Sequence, residues 1–97
     1  MEFLVNNNKV FVSDTGEKIT PTKESIILLH GSGQSHVVWS LTDQFLADKG
    51  FNVFTLDLPG HGNSEGPCLK SIEEISNWIN DFVDHVGIEK SILVAHS

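Results

Sequence analysis

Three short apolar runs alternate with two helix-like segments along the chain, and this order constrains the fold most. The runs occupy residues 26–29, 51–58 and 92–95. The first is continuously apolar and begins with β-branched residues, which is typical of a strand covered on both faces. Strands that alternate with helices through short connections form right-handed βαβ units around a parallel sheet. The sequence therefore predicts an α/β protein.

The two segments between the runs carry helix signals. In the first, Ser40 and Asp43 have the spacing of an N-cap and its N3 partner, and Gly50 is placed to end the helix. In the second, Ser71 and Glu74 repeat the capping spacing. Apolar residues then recur at steps of three and four, as a helix with one buried face requires: Ile72, Ile75, Ile79, Phe82, Val83 and Val86.

Two β-like runs precede this pattern, at residues 3–5 and 10–12. Three asparagines at positions 6–8 separate them, and asparagine tolerates turn conformations well. These runs predict a β-hairpin. With 97 residues, the chain has room for one small domain, divided into a hairpin region at about 1–24 and a βαβαβ region at about 25–97.

Composition excludes several classes of function. Six basic and thirteen acidic residues give a net charge of −7, which repels nucleic acid and anionic membrane surfaces. A single cysteine, Cys68, cannot form an internal disulfide framework or build a metal site alone. No apolar run is long enough to span a bilayer, and the first residues lack a secretory pattern. We expect a cytoplasmic protein without a membrane span.

Each of the three apolar runs ends in residues suited to a functional site. The first is followed by HGSG at 30–33, the second ends in DLPGHGNS at 57–64, and the third is followed by His96 and Ser97. The carboxyl ends of parallel strands meet at one edge of the sheet, where ligands bind in this class of fold. These three segments are therefore predicted to form one site.

These three segments resemble motifs of the α/β-hydrolase family of serine esterases and lipases, and the resemblance extends over residues 25–97. The hairpin is compatible with that family. AHS at 95–97 is similar to the first half of its GxSxG nucleophile elbow, with Ala95 in place of the leading glycine. LLHGSG and DLPGHGNS occur in the family's order and spacing. The resemblance implies the N-terminal part of an α/β-hydrolase fold, with an incomplete sheet.

The resemblance also implies roles for individual residues. Ser97 corresponds to the nucleophile, and the backbone of Ser32 or Gly33 to one oxyanion-hole donor. The second donor normally follows the nucleophile, and the acid and histidine of the triad come later still, so this chain contains none of the three. The remaining motif residues are expected to shape the site: His30, Gly31, Asp57, Gly60, His61, Gly62, Ser64 and His96.

The implied activity is hydrolysis of a carboxylic ester or related small-molecule acyl compound through an acyl-serine, without metal or organic cofactor. A serine at the elbow argues against the family's aspartate-nucleophile branches, such as epoxide hydrolases and haloalkane dehalogenases. The other histidines have structural interpretations. His30 and His61 are expected to bond loop backbones, and His96 to pack within the elbow. His36 is expected to lie in a loop and His85 on a helix surface.

Two alternatives remain open. GSGQSH at 31–36 partly matches a GxGxxG dinucleotide fingerprint, and Asp57 lies where a ribose-binding acid is expected, although His36 replaces the last small residue. Alternatively, the chain is a non-catalytic module that needs a complementing chain. We prefer the N-terminal part of a longer hydrolase, inactive by itself. Its last strand would be an exposed edge through which the chain could self-associate.

Overall fold

A computed structural model describes residues 1–16, 18–20 and 22–96. The elements in chain order are β1 (Glu2–Val5), β2 (Asn8–Phe11), β3 (Ser25–Leu29), a short 3₁₀ helix (His36–Trp39), α1 (Thr42–Asp48), β4 (Asn52–Leu56), α2 (Ile72–Val86) and β5 (Ser91–Ala95). The predicted order of elements, a hairpin followed by βαβαβ, is confirmed. β4 is shorter than the apolar run at 51–58, because Asp57 and Leu58 belong to the following loop.

β1 and β2 form the predicted antiparallel hairpin. Val5 pairs with Asn8, so the turn consists of the two residues between them. Those residues, Asn6 and Asn7, have φ angles of 51° and 68°. Two-residue hairpin turns with positive φ at both positions match the twist of the flanking strands, and asparagine accepts this backbone more readily than most residues.

The other three strands form a parallel sheet in the order β4-β3-β5. Leu29 at the end of the central strand pairs with both Leu56 of β4 and Ala95 of β5. The three strands therefore end at the same level. This register places the HGSG segment, the segment that begins at Asp57, and His96 at one edge of the sheet.

The sheet is covered on both faces at β3 and β4, as the apolar character of β3 predicts. On one face, the hairpin and α2 bury a larger cluster: Val5, Val10, Val12, Ile27, Leu29, Phe54, Leu56, Trp78 and Phe82. On the other face, a smaller cluster lies between the strands and α1: Ile26, Leu28, Ala47 and Val53. The side chains of β3 therefore alternate between two cores, and all five of its residues are buried.

The two helices differ in how they begin. Ser71 caps α2 as predicted, because its Oγ accepts a hydrogen bond from the Glu74 backbone N–H at 3.0 Å. The capping prediction for Ser40 is wrong. Its Oγ instead donates to the Val37 carbonyl at 2.8 Å and closes the 3₁₀ helix, so α1 begins after Leu41 without a side-chain cap.

β5 is more exposed than its two partners. Ile92 and Leu93 are 48% and 52% exposed, whereas every residue of β3 and β4 is buried. Among the described residues, β5 pairs with β3 on one side and with no strand on the other. In the same described ranges, no helix is long and apolar enough to cross a membrane.

Candidate active site

The candidate site lies at the sheet edge where β3, β4 and β5 end. The backbone N–H of His96 donates to the Leu29 carbonyl at 2.9 Å and continues the pairing of β5 with β3. His96 is the last residue that the structure describes. Ser97, the predicted nucleophile, lies outside the described residues, so its role stays a prediction.

The HGSG segment forms a tight turn directly after β3. The Gln34 N–H donates to the Gly31 carbonyl at 3.1 Å, and Gly33, at the third position of this turn, has a φ of 72°. Ser32 and Gly33 are exposed. Among the described residues, no acceptor pairs with the backbone N–H of either one. Within the described part of the chain, the turn therefore presents two backbone N–H groups without an acceptor at the edge of the sheet.

Gln34 connects this turn to the end of β5, which the sequence analysis missed. Its Oε1 lies 2.8 Å from the Gly31 N and 3.1 Å from the His96 Nδ1. A Cβ on Gly31 would lie 2.8 Å from the same oxygen and 3.0 Å from the His96 carbonyl oxygen, so a side chain there would displace the Gln34 carboxamide and crowd the end of β5. Gln34 and His96 are 62 positions apart, and no local pattern in the sequence indicates the contact.

His30 is a buried structural residue, as expected. Its Nδ1 lies 2.8 Å from the Gly31 carbonyl oxygen, and its Nε2 accepts the Leu58 N–H at 3.0 Å. Because a backbone carbonyl only accepts and a backbone N–H only donates, the ring is neutral with its hydrogen on Nδ1. His61 packs against it, with ring centroids 4.9 Å apart, and bonds the Pro59 carbonyl. Both nitrogens of His30 are occupied, so it is unsuited to act as a base.

Asp57 is fully buried, and its carboxylate holds two segments together. One oxygen accepts the His36 backbone N–H at 2.6 Å and lies 2.9 Å from the His36 Nδ1. The other accepts the Asn63 backbone N–H at 2.8 Å. His36 therefore begins the 3₁₀ helix as a hydrogen-bonding partner of Asp57, whereas the sequence predicted an ordinary loop residue. A carboxylate enclosed in this way is unavailable to a ribose hydroxyl, which argues against the dinucleotide alternative.

The glycines of the GHGNS segment allow this loop to fold tightly. Gly62 has a φ of 50°, and a Cβ there would collide with the Asp57 carboxylate. Gly60 has a φ of 77°, and a Cβ there would collide with the Cys68 Sγ. Positions 60 and 62 therefore favour glycine for two independent reasons: the backbone is left-handed, and there is no space for a Cβ atom.

Ser64 joins the same loop to the hairpin. Its Oγ donates to the Asp57 carbonyl at 2.6 Å and accepts the Phe11 backbone N–H at 2.8 Å. It therefore bonds backbone groups of two different segments. The GHGNS loop is therefore hydrogen-bonded both to Asp57 at the end of β4 and to Phe11 of the hairpin.

The His96 ring is held on two sides. Besides the contact with Gln34, the ring makes a T-shaped contact with the Trp39 ring, with centroids 6.2 Å apart and an interplanar angle of 85°. Trp39 itself packs against the smaller core cluster. The His96 side chain is exposed, and its expected packing within an elbow stays a prediction because Ser97 lies outside the described residues. The structure brings the HGSG turn, the GHGNS loop and the residue before Ser97 together.

A model of the alpha/beta hydrolase fold family matches residues 24–97. Protein ABHD14A of Danio rerio is 30% identical over 89 residues, which cover 89% of this chain and 33% of that protein. The pimeloyl-[acyl-carrier protein] methyl ester esterase of Vibrio cholerae is 42% identical over 53 residues, which cover 55% of this chain and 20% of the esterase.

A solved structure of an epoxide hydrolase from Vigna radiata superposes with a TM-score of 0.83 at 26% identity. The match covers 100% of this chain and 31% of the epoxide hydrolase. This chain therefore spans about a third or less of the length of these three proteins.

Proposed function

Because the chain belongs to the alpha/beta hydrolase fold family, we propose that it supplies the nucleophile and the first oxyanion donor of a serine hydrolase acting on carboxylic esters or related acyl compounds. The observation that carries this proposal is the 31–34 turn. Its Ser32 and Gly33 N–H groups have no acceptor among the described residues, and the turn follows β3 at the sheet edge where β5 also ends. Donors fixed in advance stabilise a developing oxyanion better than mobile water does.

The proposed reaction has two halves. In the first, a base removes the proton of the Ser97 hydroxyl while its oxygen bonds to the substrate carbonyl carbon, and the carbonyl oxygen becomes an oxyanion. The carbon–oxygen bond to the alcohol then breaks, the alcohol leaves with that proton, and an acyl-serine remains. In the second, water adds to the acyl carbon and releases the acid and free Ser97.

The base and its acid partner are proposed to come from sequence beyond these residues. The family's triad order places the acid and the histidine after the nucleophile. His30 has both ring nitrogens occupied, and the Nδ1 of His36 is bound to buried Asp57. We therefore propose that residues 1–97 are inactive by themselves and that activity belongs to the full-length protein that contains them.

Two features support an ester substrate over an epoxide. The Vibrio cholerae relative is named as a methyl ester esterase. The chain has serine at position 97, whereas the resemblance described above assigns aspartate to the epoxide hydrolase branch. The likeness to the Vigna radiata enzyme therefore supports the shared fold, and the elbow residue is the basis for preferring acyl transfer.

The acyl-serine step predicts burst kinetics. The full-length protein mixed with excess p-nitrophenyl acetate is expected to release one equivalent of p-nitrophenolate per protein rapidly, followed by slower steady turnover. Stopped-flow absorbance measures the amplitude. The same reaction is quenched in acid, and the protein mass is measured to detect the acetyl adduct directly. A protein that turns over the ester and shows no burst and no added acetyl group would contradict an acyl-serine that accumulates before its hydrolysis.

A further inference from the structure

The side chain of Gln34 has a defined orientation. The atom 2.8 Å from the Gly31 backbone N must be an acceptor, because a backbone N–H only donates. The carboxamide oxygen therefore faces Gly31. The His96 Nδ1 lies 3.1 Å from the same oxygen and must accordingly carry a hydrogen. A single oxygen atom thus accepts two N–H groups from two different strand ends.

These two bonds connect the parts of the site that must act together. Gly31 directly precedes Ser32 and Gly33, whose N–H groups are the candidate oxyanion donors. His96 directly precedes Ser97, the candidate nucleophile. Gln34 also bonds Gly31 a second time, because its own backbone N–H donates to the Gly31 carbonyl at 3.1 Å. Gln34 therefore bonds both the backbone N–H and the backbone carbonyl of Gly31.

We propose that Gln34 is a positioning residue that sets the distance between the oxyanion donors of the 31–34 turn and the nucleophile at position 97. This inference rests on the proposed function. Attack on a carbonyl requires the nucleophile and the donors to be at fixed positions relative to each other. A displacement of a reacting group by about 1 Å can lower the rate about 100-fold. Trp39 also contacts the His96 ring, so the ring keeps one contact when Gln34 is replaced. We therefore expect loss of Gln34 to alter the position of the 31–34 turn more than that of the ring.

Replacement of Gln34 by leucine tests this role, since leucine is similar in size and has no acceptor. In the full-length protein, Gln34→Leu is expected to lower kcat for ester hydrolysis about 10- to 100-fold. KM should change less than about threefold, because the substrate's remaining contacts are kept. The rate of covalent labelling by a fluorophosphonate should fall by a similar factor. Gln44→Leu is the matched control, because Gln44 is exposed on α1.

A second variant isolates the bond to His96. His96→Phe keeps an aromatic ring against Trp39 and removes the Nδ1 hydrogen. We expect it to slow labelling several-fold with an unchanged melting temperature, and to have little further effect in the Gln34→Leu background, because the shared acceptor is already absent. Independent, multiplicative effects of the two changes would contradict the shared-acceptor mechanism. This variant also tests the proposal if Gln34→Leu does not fold.

The outcomes separate this inference from the proposed function. Labelling of Ser97 at equal rates in the wild type and in Gln34→Leu would overturn the positioning role and leave the serine mechanism intact. Slower labelling of Ser97 in Gln34→Leu, with Gln44→Leu at the wild-type rate, would support both. A wild-type protein that is never labelled would overturn the proposed function and with it the inference.

Discussion

Replacement of Ser97 by alanine is expected to abolish ester hydrolysis by the full-length protein. Loss of the nucleophile in a serine hydrolase lowers kcat by roughly 10⁴- to 10⁶-fold, since no acyl-enzyme can form. The residual rate should come from the remaining oxyanion donors and from substrate binding. The decrease should therefore appear in kcat measured with a p-nitrophenyl ester, while KM stays within a few-fold of the wild-type value.

Ser76→Ala provides the matched control for this change. Ser76 lies on the exposed surface of α2, so its hydroxyl is removed without any effect on the site. We expect Ser76→Ala to have the wild-type kcat. The wild type, Ser97→Ala and Ser76→Ala should have equal melting temperatures. If Ser97→Ala retains more than about a tenth of the wild-type kcat, Ser97 is not the nucleophile.

Replacement of Ser32 by proline is expected to have the second largest effect. The Gln34 N–H bond to the Gly31 carbonyl and the positive φ of Gly33 are features of a type II turn. Proline is common at the second position of such turns, which Ser32 occupies. The change should therefore keep the turn and remove one N–H. Loss of one oxyanion donor lowers kcat about 10²- to 10³-fold.

Ser32→Ala separates the backbone from the side chain. Alanine removes the hydroxyl and keeps the N–H, so kcat should stay within about threefold of the wild type if the backbone group is the donor. Circular dichroism and thermal melting would establish that both variants are folded. A folded Ser32→Pro protein with wild-type kcat would exclude the Ser32 N–H from the oxyanion hole.

Local patterns in the sequence were sufficient to predict most of the fold. The continuous apolar run at 26–29 predicted a strand buried on both faces, and β3 is buried throughout. The Ser71 and Glu74 spacing predicted the start of α2, because the capping bond joins residues three positions apart. The asparagines at 6–8 predicted a turn, because asparagine tolerates a positive φ.

The contacts within the candidate site depend on residues far apart in sequence, and local patterns do not reveal them. His36 was predicted to be a loop residue, but its partner Asp57 lies 21 positions away and meets it only when β3 and β4 are paired. Gln34 likewise meets His96, 62 positions away, only when β3 and β5 are paired. Ser40 does not cap α1, because its hydroxyl donates to the Val37 carbonyl in the 3₁₀ helix before it.

The most direct test of the central claim is to identify the residue that a fluorophosphonate modifies in the full-length protein. After labelling, protease digestion and mass spectrometry would locate the adduct on a single peptide. Our account predicts stoichiometric phosphonylation of the Ser97 hydroxyl and no adduct in Ser97→Ala. An adduct on any other serine, or an unmodified protein that still hydrolyses esters, would contradict it.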